Sequence, residues 1–438
     1  MLRKEIHALF ELAWPIVLVQ IGIISLGVVD TISSGYLGPD ATAAVGLAQA
    51  WRIAALIIAQ GVAAGMVPLI AYAWTQNNVK DIAQTFKHSV MLFTILAIPI
   101  ACWYYWAEKG LYLLGQPVSL IHETGQYCRI LILSIPGFLG FYLLQSLLQG
   151  TGRIKPIICV ILLTNIINAL ANGALMFGWA GLPALGIMGI AWSTVIISYS
   201  MFAALFVLAY PLLKKLPIIH FAISQLAKIT QKTLPVGLQW ALEIGVFQSV
   251  LLLAGQLDKD TLAAHVIIQN LSSVVFIMPL GLSIAIAIRV AHLCATKQSW
   301  IPAAKIAVIL SGVIVLLPAI LFITIPLPLG MTYTHSPSVL KLIAITLPIV
   351  GVMQLFDAIQ VTVLSILRGL GDVATPSLIH PLGLWCIGLP LSAIFASHLG
   401  LGLAGLWGGL TIGVMSVAVI LTLRLIQRSR FLLKNKRI

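Results

Sequence analysis

The sequence predicts an all-α polytopic membrane protein, with twelve transmembrane helices in two parallel six-helix lobes related by a pseudo-twofold axis along the membrane normal. Three observations carry that prediction. Hydrophobic residues make up 60% of the 438 positions, charged residues only 8%, and the mean hydropathy is +1.06, a balance suited to lipid rather than water. Apolar runs long enough to cross a bilayer recur near 9–36, 43–74, 87–107, 124–148, 156–178, 186–212, 228–256, 261–292, 303–326, 339–367, 375–397 and 402–424. Finally, shifting the chain by 220 positions superimposes its halves, aligning Pro15 with Pro235, Asp40 with Asp260, Gln49 with Gln269, Gly61 with Gly281 and Pro156 with Pro376.

The first span starts within ten residues of Met1 and outlasts a signal-peptide core, so it is expected to be a retained helix. Runs such as Ile306 to Leu327 are too long for the strands of a membrane barrel. Six spans per repeat is an even number, so the second copy enters the membrane in the same sense as the first, which makes the lobes parallel repeats. The expected division is residues 1–212, a cytoplasmic linker over 213–228 containing Lys214, Lys215 and Pro217, and residues 229–438 with a basic tail.

Charge distribution sets the orientation and excludes nucleic acid as the partner. The net charge is +13, yet 19 of the 25 Lys and Arg residues lie at alternate ends of the spans, from Arg3 and Lys4 to the tail Arg424–Arg437. By the positive-inside rule both termini are cytoplasmic. The five cysteines, Cys102, Cys128, Cys159, Cys294 and Cys386, are scattered without metal-ligand spacing. At the outer end of span 3, Trp103, Tyr104, Tyr105 and Trp106 read as an interfacial belt.

Against this background Asp30, Glu243 and Asp357 stand out, because ionisable groups in hydrocarbon are costly and usually face a cavity. None has an acid at its repeat-equivalent position, so the two lobes carry unlike chemistry. Asn165, Asn168 and Asn172 fall at i, i+3 and i+7 of span 5 and share one helical face. Such a stripe serves either a polar site or adhesion between helices. Glu243 has Gln239, Trp240 and Phe247 within one turn, a setting suited to an organic cation or to proton exchange. Asp357 shares its face with Gln354 and Gln360. Arg52 falls about seven residues inside span 2 and Asp30 about five from the outer end of span 1, similar depths that would allow an ion pair. His265, one turn from Gln269, reads as a packing or interfacial residue with a proton relay as the alternative. Arg289 and Arg368 are expected to serve topology and packing at the cytoplasmic edge.

Taken together, these pieces resemble the multidrug and toxic-compound extrusion (MATE) family, most of all its NorM-type branch. The resemblance rests on Leu12-Ala-Trp-Pro15, Val29-Asp30-Thr31, Gly35-Tyr-Leu-Gly38 with Ala43-Ala-Val-Gly46, Leu148-Gln-Gly-Thr-Gly-Arg153 with Pro156, the Asn168 and Asn172 helix, and Glu243 with Asp357. It spans nearly the whole chain and implies a secondary exporter of small, cationic amphipathic compounds, driven by sodium or protons without another cofactor. It also implies a first-lobe cation site at Asp30, Asn168, Asn172 and Thr194, and a second-lobe substrate or proton-coupling site at Glu243 and Asp357 with Gln239 and Gln354. Arg52 lies outside the family pattern. The expected setting is a bacterial inner membrane, and the expected state a monomer.

Two other readings differ from this one in what they require of the chain. A flippase for lipid-linked precursors would favour extra helices and a cationic cavity. A membrane-embedded enzyme would need a motif such as a Ser/His/Asp set, and Gly150-Thr-Gly152 lacks the Lys-Ser/Thr ending of a phosphate-binding loop.

Overall fold

A computed structural model of the chain describes residues 2–434. Twelve helices long and apolar enough to cross a membrane are present among them: α1 (Glu5–Gly35), α2 (Pro39–Thr75), α3 (Val79–Tyr105), α4 (Val118–Gly150), α5 (Lys155–Phe177), α6 (Ile187–Leu213), α7 (Ile223–Leu257), α8 (Lys259–Ala295), α9 (Ile301–Thr324), α10 (Pro337–Gly369), α11 (Ala374–His398) and α12 (Gly402–Leu432). They satisfy their backbone groups internally, the requirement that lipid imposes on spanning segments.

The repeat is visible in the backbone. Asn77 after α2 and Lys297 after α8 both adopt left-handed φ, 54° and 55°, at positions 220 apart. Gly152 after α4 and Gly371 after α10 do the same at 75° and 80°, which only glycine accepts without strain. Short helices at Ala107–Leu113 and Pro326–Met331 also occupy corresponding places in the two repeats.

Two compact units are formed: residues 18–237, and residues 1–17 with 238–438. Each boundary falls two residues past a proline inside a helix, Pro15 in α1 and Pro235 in α7. Proline removes one intrahelical hydrogen bond and crowds the preceding turn, so the halves of such a helix can follow different neighbours. In the unit 18–237, Gly61 of α2 lies so close to α7 that a Cβ there would sit 2.6 Å from the Cα of Gly237. In the other unit, a Cβ on Gly281 of α8 would sit 2.3 Å from Cγ2 of Val17 in α1. These two contacts are repeat equivalents, since Val17 and Gly237 are themselves 220 apart.

In the second unit the core gathers around the fully buried Trp407 of α12, with Val246, Val250, Ile268, Ile343, Leu347 and Val350 from α7, α8 and α10. Arg289 of α8 forms a two-pronged ion pair with Glu5 of α1, at 2.6 and 2.9 Å, which gives it the packing role its position suggested. The aromatic belt of α3 is only partly interfacial. Trp103 stacks on Trp51 at 4.3 Å while each indole N–H donates to the other's carbonyl, and Tyr104 is fully buried. Trp103, Tyr105 and Trp106 are exposed.

Two candidate ion-handling sites

The first cluster lies within the unit 18–237. Asp30, on the inward face of α1, is 3% exposed and is met by side chains from α5 and α6. Asn172 Nδ2 donates to Asp30 Oδ1 at 2.9 Å and Asn168 Nδ2 to the same oxygen at 3.2 Å, while Thr194 Oγ1 approaches Oδ2 at 3.4 Å. Ser193 Oγ touches Asn168 Nδ2 at 3.4 Å and Ser33 Oγ accepts from Asn172 at 3.1 Å. Two of the three stripe asparagines therefore reach the carboxylate. The third, Asn165, spends its N–H groups on the carbonyls of Gly22 and Ile161, both at 2.9 Å, and serves helix adhesion.

The carbonyl oxygens of Asn165, Asn168 and Asn172 are buried and unpartnered. Buried acceptors without donors are costly, and those of Asn168 and Asn172, beside the Asp30 carboxylate, form a donor set suited to a hard cation. Tyr127 of α4, 1% exposed, also faces Thr194 and Asp30, and no spacing or motif around it marks it in the sequence. Arg52 forms no ion pair with Asp30. Its guanidinium sits over the Phe138 ring, 5.4 Å from the centroid, with Nε buried and unpartnered.

The second cluster lies within the other unit and joins α7, α10 and α11. Asp357 is 9% exposed, and its Oδ1 accepts from Gln360 Nε2 at 2.6 Å. The same amide nitrogen lies 3.3 Å from Nε2 of His380, which is in turn 3.9 Å from Glu243 Oε2. Gln239, one turn before Glu243, lies beside that carboxyl and accepts a short hydrogen bond from Arg368 through its own oxygen. Trp385 fixes the approach of α11 to α7 by donating to the Leu242 carbonyl at 3.0 Å, beside Glu243. It sits in a stretch, 384–388, that winds as π-helix, a local widening often found at functional sites.

The structure thus brings Glu243, Asp357 and Gln239 together and separates Gln354 from them. Both hydrogen bonds of the Gln354 amide, at 2.8 Å, go to Ser272 of α8. His265 stands apart as well: it is fully buried against Trp407, 5.3 Å between ring centroids, in the packing role. Arg368 is 7% exposed and joins the cluster from the last turn of α10, to which the buried face of that helix continues. His380 was passed over in the sequence. An ionisable side chain inside the apolar run near 375–397 carries the same signal as the three acids.

A family model, MatE, matches residues 15–173 and again 235–394, the two halves of the repeat. The chain belongs to the MatE family. A probable multidrug resistance protein NorM of Mesorhizobium japonicum is 30% identical over 98% of this chain and 95% of its own length, and a Pseudomonas putida protein of the same name is 30% identical over 95% and 93%. Among solved structures, the Vibrio cholerae MATE transporter VcmN in its bent form aligns with a TM-score of 0.87 and 19% identity, covering 98% of both chains. A eukaryotic MATE transporter aligns equally well, with a TM-score of 0.87, 20% identity and coverage of 97% and 96%. The two-lobed, twelve-helix architecture is thereby that of MATE transporters, and this is a family of transporters rather than enzymes.

Proposed function

We propose that this MatE-family protein is a secondary active multidrug exporter that moves cationic amphipathic compounds out of the cell in exchange for sodium or protons, by alternating access of its two repeat-related lobes. The observation that carries the reading is the placement of Asp30, Glu243 and Asp357 in two buried polar clusters of different design. Asp30, Asn168, Asn172 and Thr194 are the candidate ligands for the coupling ion. With a proton, Asp30 becomes neutral and keeps its amide partners; with sodium, the asparagine amides would turn to present the oxygens that now lack partners.

When both are ionised, Glu243 and Asp357 carry two negative charges against the one positive charge of Arg368, so their cluster then accepts one further monovalent cation, a proton or the head of an organic substrate. Mutual exclusion of the two is what antiport requires, and competition for one negative charge supplies it. Carboxylate clusters of this kind oppose the phosphates of a lipid-linked precursor, which disfavours the flippase reading. A bacterial inner membrane, cytoplasmic termini and a monomeric state complete the proposal.

The test is efflux of a fluorescent lipophilic cation from proteoliposomes under imposed sodium or proton gradients. Wild type is expected to respond to at least one gradient, and Asp30→Asn, Glu243→Gln and Asp357→Asn to lose that response. Undiminished gradient-driven efflux in all three variants would sink the mechanism.

A further inference from the structure

We propose that Gln360 and His380 form a proton-responsive bridge between Glu243 and Asp357, so that the two acids take up a proton as one unit. The inference rests on the reading of these acids as the second-lobe proton-exchanging pair, and it assigns roles to two residues outside that pair.

One amide nitrogen is shared. Gln360 Nε2 lies 2.6 Å from Asp357 Oδ1 and 3.3 Å from His380 Nε2, whereas Gln360 Oε1 is buried with no partner at all. In this orientation the amide donates to both neighbours, which requires Asp357 Oδ1 and His380 Nε2 to carry no proton. His380 is then the neutral tautomer with its proton on Nδ1, a nitrogen that is also buried and unpartnered. A proton arriving on His380 Nε2 or on Asp357 Oδ1 sets a donor against a donor. A half-turn of the Gln360 amide removes the conflict, because Oε1 then accepts from the protonated Asp357 hydroxyl or from His380 Nε2–H. The site therefore has two hydrogen-bonded arrangements, and the number of bound protons selects between them.

His380 extends the bridge to the second acid. Its Nε2 stands 3.9 Å from Glu243 Oε2, longer than a direct hydrogen bond, so a proton held on that carboxyl passes to the imidazole nitrogen only when the two close to hydrogen-bond distance or one water bridges them, leaving Glu243 ionised beside an imidazolium. No electron moves, and charge is conserved within the cluster. The ionisable groups facing the imidazole are Glu243 from α7 and Asp357 and Arg368 from α10; α12, packed along α11, has none between Gly402 and Leu423. All of these side chains except Glu243 are at least nine-tenths buried, so the proton has few other places to rest.

The experiment is infrared titration of the purified protein, following the carbonyl stretch of protonated carboxyl groups against pH and assigning the second-lobe signal by its loss in Glu243→Gln and Asp357→Asn. His380→Gln and Gln360→Met are each expected to move the midpoint of that signal by about one pH unit or more, a tenfold change in proton affinity. Thermal stability is measured alongside, and either variant alone suffices if the other does not fold. An unchanged midpoint in a folded His380→Gln or Gln360→Met protein overturns the bridge while leaving the acids as proton carriers. Absence of any titrating signal that depends on Glu243 or Asp357 overturns the underlying reading instead.

Discussion

Replacing Asn172 by Ala tests the first-lobe site, with Asn165→Ala as the control on the same helix face. Asn172 donates to Asp30 at 2.9 Å and holds a buried amide oxygen in reserve, whereas Asn165 bonds only to the backbone carbonyls of Gly22 and Ile161. The hydrogen bond to ionised Asp30 contributes about 1.5–3 kcal/mol, as charged hydrogen bonds do. If the amide turns on ion binding, the variant loses an ion ligand in the loaded state and a donor in the unloaded one. These losses offset in part; if about half of one such contribution remains, the net weakening is about 0.75–1.5 kcal/mol, or roughly four- to twelvefold in ion affinity. The assay is the ion concentration giving half-maximal efflux in proteoliposomes. Asn172→Ala is expected to raise it by that factor and Asn165→Ala by less than about threefold, since no bond to the carboxylate is lost. Equal effects of the two substitutions, or none from either, would refute the assignment of Asn172 as a ligand.

Three structural predictions accompany it, each read as thermal unfolding of detergent-solubilised protein. Arg289→Gln strands the Glu5 carboxylate, whose side chain is 12% exposed, and should destabilise by about 3 kcal/mol, while the double variant with Glu5→Gln should recover most of that loss. Gly61→Ala drives a Cβ into the Gly237 backbone and should destabilise by about 1–3 kcal/mol, whereas Gly46→Ala in the same helix meets nothing within 4 Å and should be neutral or slightly stabilising. Asp258 caps α8 by accepting from Thr261 Oγ1 at 2.6 Å and Thr261 N at 2.7 Å, and these bonds hold its carboxyl below the usual carboxylate range. Asp258→Ala should cost about 1 kcal/mol at neutral pH. Because the folded-state carboxyl is the stronger acid, that difference is fully present above about pH 4 and disappears as pH falls through the depressed value.

Composition and periodicity were enough to read twelve helices, the 220-residue repeat and the stripe of asparagines, because a lipid environment turns hydropathy directly into helix placement. The rarity of acids in apolar runs also pointed to Asp30, Glu243 and Asp357 before any contact was known. Neighbours across helices were another matter. Arg52 and Asp30 share a depth, but depth says nothing of azimuth, and the guanidinium turns to Phe138. Gln354 and Gln360 both lie three residues from Asp357 and look equivalent along the helix; packing gives one to Ser272 and the other to Asp357.

The sequence by itself determined the class of the molecule, its twofold internal plan and the three acids on which its chemistry turns. Tertiary structure decided where α1 and α7 change partners, which asparagines reach Asp30, and that His380, Gln360 and Arg368 complete the second cluster. The physical reason is that hydropathy depends on each segment alone, whereas hydrogen-bond partners in a helical membrane protein depend on the rotation and register of helices far apart in the chain.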